Sequence, residues 1–459
     1  MDEKANELFY LWHLQRIGLL GQGGAFPEAW SGGLDEVRVA IIDSGCATSH
    51  PNLPAEAILP SLDVAVDEGG VVYQEGHRTS IAFAWAGIDV RMKELGIEDL
   101  PPEIQALVDE IKTSSPEFLP TEDPAHHFSA HGTASAGLIA GRTLKSGKSA
   151  FPDAILNYFG VNPFASIIPV ATPYSHEIKP LIRALLHSVA MGADVILLPR
   201  MVNDVDSSNQ SGDKSDLRRS RFTDPKSAKM QKLAKDKDTF ETLLRLLSPM
   251  MPIVLAAGND GLGTIAYPAS LVNRKGFEDL IVVGSVNSNG RRSSYSSGRS
   301  SDGVAIFAPS DDEERIDRFG TWFDPSDAVG RQIKTLGWER TQAYSPFGVL
   351  AIDIPGRLDG EDRGDDVPPK LRDLYTVFGG TSAASAIVAG IASLVEAVGR
   401  KDKAERLTGK AFRELLGARA ASANVSTTKT RAAATASARE ETDEVPIVDV
   451  GDLLNRRRK

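Results

Sequence analysis

The sequence predicts an α/β protein: three αβα layers around a mostly parallel central sheet, carrying large loop insertions. Three observations support this. Short apolar runs rich in β-branched residues recur along the chain. Segments with apolar residues three and four positions apart lie between them. The order alternates strand with helix, which a parallel sheet covered on both faces requires.

The expected strands are Val37–Ile42, Ile167–Ala171, Val195–Leu198, Ile253–Ala257, Leu280–Val283 and Val304–Phe307. Each is a nearly continuous apolar run, as burial on both faces demands. Ser135–Ala140, Ile178–Met191 and Phe240–Leu247 carry the helical spacing, and Ala383–Val398 is a longer Ala-, Ile- and Val-rich helix. Together they place a main domain at residues 1–417 with insertions near 63–124, 203–239 and 311–345. The first insertion includes a helical piece at Pro102–Ile111, and Asn203–Asp238 is dense in charge and reads as an exposed loop. Residues 418–444 form an Ala/Ser/Thr-rich linker, and 445–459 a last strand, a short helix and a basic tail.

Composition narrows the function. The 459 residues carry 51 Lys+Arg against 62 Asp+Glu, a net charge of −11 that argues against a general nucleic-acid binder. A single cysteine, Cys46, excludes an intramolecular disulfide and a cysteine-only metal site. The acidic start lacks the pattern of a secretory signal, and no stretch approaches the roughly 20 apolar residues of a membrane span. A cytoplasmic protein without membrane contact is the expectation.

Chemistry concentrates at element ends. The first strand runs into Asp43-Ser-Gly, His131-Gly-Thr opens a helix, and Gly379-Gly-Thr-Ser382 opens the long Ala-rich helix. An open parallel sheet gathers its ligand crevice at such ends. Serine becomes a nucleophile when an imidazole takes its proton, and a carboxylate fixes the imidazole's tautomer and stabilises its cation. Asn259, after the strand and among glycines, supplies an amide donor that together with the Ser382 N–H can form an oxyanion hole.

These blocks, Asp43-Ser-Gly, His131-Gly-Thr, Ala257-Gly-Asn259 and Gly380-Thr-Ser382, occur in the order that resembles subtilisin-like serine proteases. His50-Pro-Asn-Leu53, Gly192-Ala-Asp-Val-Ile196, Tyr267-Pro-Ala269, Ser294-Tyr-Ser-Ser297 and Ala308-Pro309 agree with the same family. The resemblance implies a serine endopeptidase acting on protein or peptide substrates, with Asp43 orienting, His131 as base then acid, Ser382 attacking and Asn259 in the oxyanion hole. It also implies that Leu198, Pro199, Arg200, Met201, Ala256, Ala257 and Gly258 flank the substrate. Trp12-His-Leu-Gln-Arg-Ile-Gly18 resembles the start of a mature catalytic domain, so no inhibitory propeptide is expected upstream. Restraint by a regulatory protein partner is one consequence. A silent module of the same fold, docking a partner through its charged insertions, is the alternative.

The chain departs from the family at Pro199-Arg200-Met201, where Ser-Leu-Gly is usual. Met201 narrows the first pocket, or the edge is rebuilt on binding with Arg200 meeting an acidic substrate. Ala386 stands where a proline usually follows the nucleophile, and Ala130 replaces a glycine. No cofactor is required. Asn52, in place of a calcium-binding aspartate, can still offer a carbonyl oxygen, without further support for a calcium site. His126 and His127 lack the ordered partners of a zinc site, and Gly141–Ser149 has the wrong glycine spacing for a phosphate loop. Cys46 reads as a buried, inert thiol.

Overall fold

The computed structural model describes residues 11–21, 27–30, 34, 36–47, 50–53, 59, 62–63, 78–114, 129–143, 157–172, 178–202, 228–261, 263–311, 348–355, 374–417 and 445–457. A seven-stranded sheet runs through it, built from β1 (Arg38–Asp43), β2 (Leu62–Asp63), β3 (Ser166–Ala171), β4 (Val195–Leu198), β5 (Ile253–Ala256), β6 (Ile281–Val286) and β7 (Ile306–Pro309). The spatial order is β2-β3-β1-β4-β5-β6-β7, and every pairing is parallel. A separate antiparallel pair, β8 (Val349–Ile352) and β9 (Tyr375–Phe378), leads the chain toward Ser382.

The sheet has two apolar faces, and alternate residues serve each. Val39 and Ile41 of β1, Val195 and Leu197 of β4, and Val254 of β5 point into one core. Ala40, Ile42, Ile196, Leu198, Ile253 and Leu255 point into the other. Each fully buried Val, Leu or Ile is worth about 1.5–3 kcal/mol, so these strands are held from both sides. The first face is covered by α1 (Trp12–Arg16), α5 (Ser129–Ala140), α8 (Gly380–Lys401) and α9 (Val450–Arg457). The second is covered by α2 (Arg78–Ala86), α3 (Ile88–Glu94), α4 (Pro102–Thr113), α6 (Lys179–Ala190) and α7 (Ala228–Leu247). The α8 helix is long and apolar enough to cross a membrane, but its apolar stretch, Thr381–Gly399, is buried between sheet and helices.

The charged stretch before Asp238 departs from the loop reading. Residues 228–238 belong to α7, which continues to Leu247. Most of them are Lys, Ala, Gln, Met and Leu, strong helix formers whose propensity is reinforced once one stripe packs. Lys237 lies on that stripe, buried, with its ammonium 5.3 Å from the Tyr267 ring centroid and 3.8 Å from Glu241. Residues 203–227, including the Arg218-Arg219-Ser-Arg221 cluster, lie outside the described residues, as do His126, His127, 144–149, most of the 311–345 stretch and the 418–444 linker.

Within the first insertion, α2–α4 form part of the second layer. Ile81, Trp85, Ile88, Met92, Ile104, Val108 and Ile111 bury there, and Trp85 Nε1 donates to His187 Nδ1 at 3.1 Å. At the far edge, Phe307 exchanges backbone hydrogen bonds with Pro446 and Val448 (3.1 and 3.0 Å), extending the sheet by a single bridge before α9.

Candidate active site

The C-terminal ends of β1, β4 and β5 meet the N-terminal turns of α5 and α8. Asp43 is the last residue of β1 and fully buried. His131 lies in the first turn of α5, which begins at Ser129, so the imidazole sits on the helix rather than ahead of it. His131 Nδ1 donates to Asp43 Oδ2 at 2.7 Å, and the Ser44 N–H donates to Oδ1 at 2.8 Å. Burial alone would raise the Asp43 carboxyl. The His131 charge and hydrogen bond, the Ser44 N–H and the Arg200 cation instead hold it below the ordinary carboxylate value. An ionised carboxylate only accepts, so Nδ1 carries the proton, and whenever the ring is neutral Nε2 is its acceptor. Phe378 packs edge-on against the imidazole with centroids 4.9 Å apart.

This approach depends on Gly132. A Cβ there would fall 1.8 Å from the Gly45 carbonyl oxygen, so only glycine lets the helix lie against the loop after Asp43. Thr133 Oγ1 accepts from the Ala47 N–H at 2.8 Å and ties the same two segments together. Cys46 is buried in that loop, and burial pushes its thiol up to about 12, away from the reactive thiolate.

Ser382 lies in the first turn of α8, where backbone N–H groups have no intrahelical acceptor. Its hydroxyl is nearly buried and donates to the Pro199 carbonyl at 2.7 Å. Asn259 follows β5 and is exposed; its Oδ1 accepts from the Thr381 N–H (2.9 Å) and hydroxyl (2.8 Å). Those two donors assign the oxygen end of the amide and make Nδ2 its donor end, beside Gly380. Gly258 N–H in turn donates to Thr381 Oγ1 at 3.1 Å.

The residues expected along the substrate edge divide. Leu198 is core, 1% exposed, so only its backbone faces the edge. The Pro199 carbonyl accepts from Ser382. Arg200 faces inward, so contact with an acidic substrate would require the edge to be rebuilt on binding: it is 7% exposed, and its Nη1 donates to Thr172 O (3.1 Å) and Oγ1 (2.8 Å). Thr172 itself donates to the Asp43 carbonyl through N–H (2.7 Å) and Oγ1 (3.0 Å), so the guanidinium is drawn under β1 by acceptors there and by the Asp43 charge. Met201 is 43% exposed, and its Sδ lies 3.3 Å from where a Cβ on Gly258 would stand. Ala256 and Ala257 are buried, and the Ala257 and Gly258 carbonyls accept from Ala266 N–H and Ser297 N–H, both at 2.9 Å.

Asn52 is buried, with Oδ1 accepting from the Tyr375 hydroxyl at 2.5 Å and Nδ2 donating to the Arg142 carbonyl at 3.3 Å. Among the described residues no group of three His, Cys, Asp or Glu could hold a metal ion. Beside it, His50 Nδ1 accepts from the Asn52 N–H (3.0 Å) and Nε2 donates to Leu374 O (2.7 Å). Burial lowers this imidazole to about 4 despite that carbonyl, so it is neutral and structural.

The model of the subtilase family matches residues 35–439, and the chain belongs to that family of serine proteases. It is similar to the major intracellular serine protease of Bacillus subtilis, 33% identical over 88 residues, 18% of this chain and 26% of that relative's length. The nisin leader peptidase NisP of Lactococcus lactis shares the fold with a TM-score of 0.51 at 15% identity, covering 98% of this chain and 94% of that one. A protease from Pseudoalteromonas arctica does so with a TM-score of 0.50 at 17% identity, covering 99% of each.

Proposed function

We propose that this chain is an intracellular, cytoplasmic serine endopeptidase that cleaves peptide bonds through Asp43, His131 and Ser382. The observation that carries the reading is the buried Asp43 carboxylate 2.7 Å from His131 Nδ1, at the sheet end where Ser382 opens α8. The name of the Bacillus subtilis relative supports the compartment.

In this mechanism the Ser382 hydroxyl releases the Pro199 carbonyl and turns its proton toward His131 Nε2. Its oxygen attacks the scissile carbonyl carbon while Nε2 takes the proton, and Asp43 balances the imidazolium. The carbonyl electron pair moves onto oxygen, where the Ser382 N–H and Asn259 Nδ2 donate to it. Collapse of the adduct expels the amine, which receives the proton from His131. Water repeats the sequence on the acyl-enzyme and restores Ser382.

The bond from Ser382 to Pro199 favours a second reading, in which a partner must bind before the hydroxyl meets His131. One experiment tests both. Purified chain is incubated with an unstructured protein and the products are read by mass spectrometry. Peptides that vanish in Ser382→Ala and in His131→Ala support the protease. Full cleavage by Ser382→Ala contradicts it, and cleavage only after a cell fraction is added supports gating.

A further inference from the structure

The turn that delivers Ser382 is held by side chains to which the mechanism above gives no part. Gly379 is extended and Gly380 left-handed (φ +73°), so the turn is built from two residues of the most mobile type. Yet the polar groups of Gly380 are fixed from outside. Its N–H lies 3.1 Å from Tyr295 Oη and 3.3 Å from Asp311 Oδ1, and its carbonyl accepts from Ser310 Oγ at 2.8 Å. Tyr295 donates its own proton to Asp311 Oδ1 at 2.5 Å. The Asp311 backbone is anchored in turn, its carbonyl accepting from Ser293 Oγ at 2.5 Å. The Asp311 carboxylate also fills the space that a side chain at 379 would need: a Cβ there would meet Oδ2 at 2.3 Å.

We infer that Tyr295 and Asp311 are positioning residues for the nucleophile, a Tyr–carboxylate brace on the Gly379–Gly380 turn that sets where Ser382 Oγ and the Ser382 N–H stand. The inference rests on the serine-protease reading. On the other flank, Asn259 holds Thr381 through Oδ1, so the two residues before Ser382 are clamped from separate strand ends. Burial, then the Asp311 charge, keeps the Tyr295 hydroxyl well above its ordinary value, so its proton stays available to the carboxylate. A displacement of about 1 Å at a reacting group costs on the order of 10²-fold in rate. A turn of two glycines permits such a displacement unless it is braced.

The test is steady-state hydrolysis of a chromogenic peptide by the full chain and by Tyr295→Phe, Asp311→Ala and Asp311→Asn. Thermal midpoints and the exchange rate of the Gly380 amide are measured alongside. Tyr295→Phe keeps the buried ring and removes only the hydroxyl. It is expected to lower kcat about 10-fold with KM unchanged, to speed exchange at Gly380 and to leave the midpoint near wild type. Asp311→Asn keeps an oxygen acceptor and should retain activity within about threefold, whereas Asp311→Ala should lose at least about 10-fold. A Tyr295→Phe enzyme with wild-type kcat, or a kcat loss that only follows loss of folded protein, overturns the brace. Wild-type chain without turnover, both alone and after the cell fraction is added, overturns the protease reading, and the catalytic assignment of the brace with it, a different signature from an active Tyr295→Phe.

Discussion

Asn259 does two separable things. Its oxygen accepts from Thr381 at 2.8 and 2.9 Å, while its Nδ2 is the donor assigned to the oxyanion. Asn259→Asp keeps the first and loses the second, so kcat is expected to fall about 10²–10³-fold while the urea midpoint holds. Parallel loss of stability would mean that the amide matters to the turn alone. Met201 makes an equally local claim, because its sulfur sits over Gly258 where the first pocket should open. Met201→Gly is expected to raise kcat/KM for peptides with Phe before the cleaved bond by about 10-fold relative to Ala, the scale of a methylene or two in an apolar pocket. An unchanged Phe/Ala ratio would show that the side chain stands aside when substrate binds.

Elements matter through how closely they approach. A methyl on Gly132 would meet the Gly45 carbonyl, so Gly132→Ala must push α5 away from the end of β1. Overpacking of this kind costs about 1–3 kcal/mol, and the Asp43–His131 contact should lengthen with it. Urea titration and peptide turnover on that variant should both fall; a wild-type midpoint would show that the loop yields without cost. The strands, the long α8 helix and the motif residues at their ends were legible in sequence because two-sided burial writes continuous apolar runs and glycines mark the turns. Lys237 was not, since a lysine in a charged run reads as solvated until Tyr267 and Glu241 arrive from elsewhere to cover it. The inward setting of Arg200 was hidden for a related reason: its Thr172 acceptors sit 28 residues away at the end of β3, with β1 between that strand and β4. The brace was half visible, because Ser294-Tyr-Ser-Ser297 and Ala308-Pro309 stood out as landmarks while nothing in them announced that Tyr295 meets Asp311.

At the scale of the whole molecule, the fold carries an acid sensitivity independent of catalysis. Burial holds His13 at about 3 and His50 at about 4, both below the ordinary 6.5, so both rings are neutral in the folded chain. Protons therefore bind the unfolded chain first. Each ring's contribution is complete above about 6.5 and is lost as pH falls toward 4 for His50 and 3 for His13, at about 1.4 kcal/mol per pH unit each. Asp43, lowered by its partners, loses its contribution in the same direction once pH falls below the ordinary 3.8. Urea midpoints measured down this range should drop steadily, and His13→Leu should flatten the slope; an unchanged slope would place the proton uptake elsewhere. The central claim, that two packed layers bring Asp43, His131 and Ser382 into one working site, is tested most directly by labelling the folded chain with a fluorophosphonate. Covalent labelling of wild-type chain at Ser382, abolished in Ser382→Ala and in His131→Ala, is the predicted result. Labelling that survives loss of His131, or that falls on another serine, would contradict it.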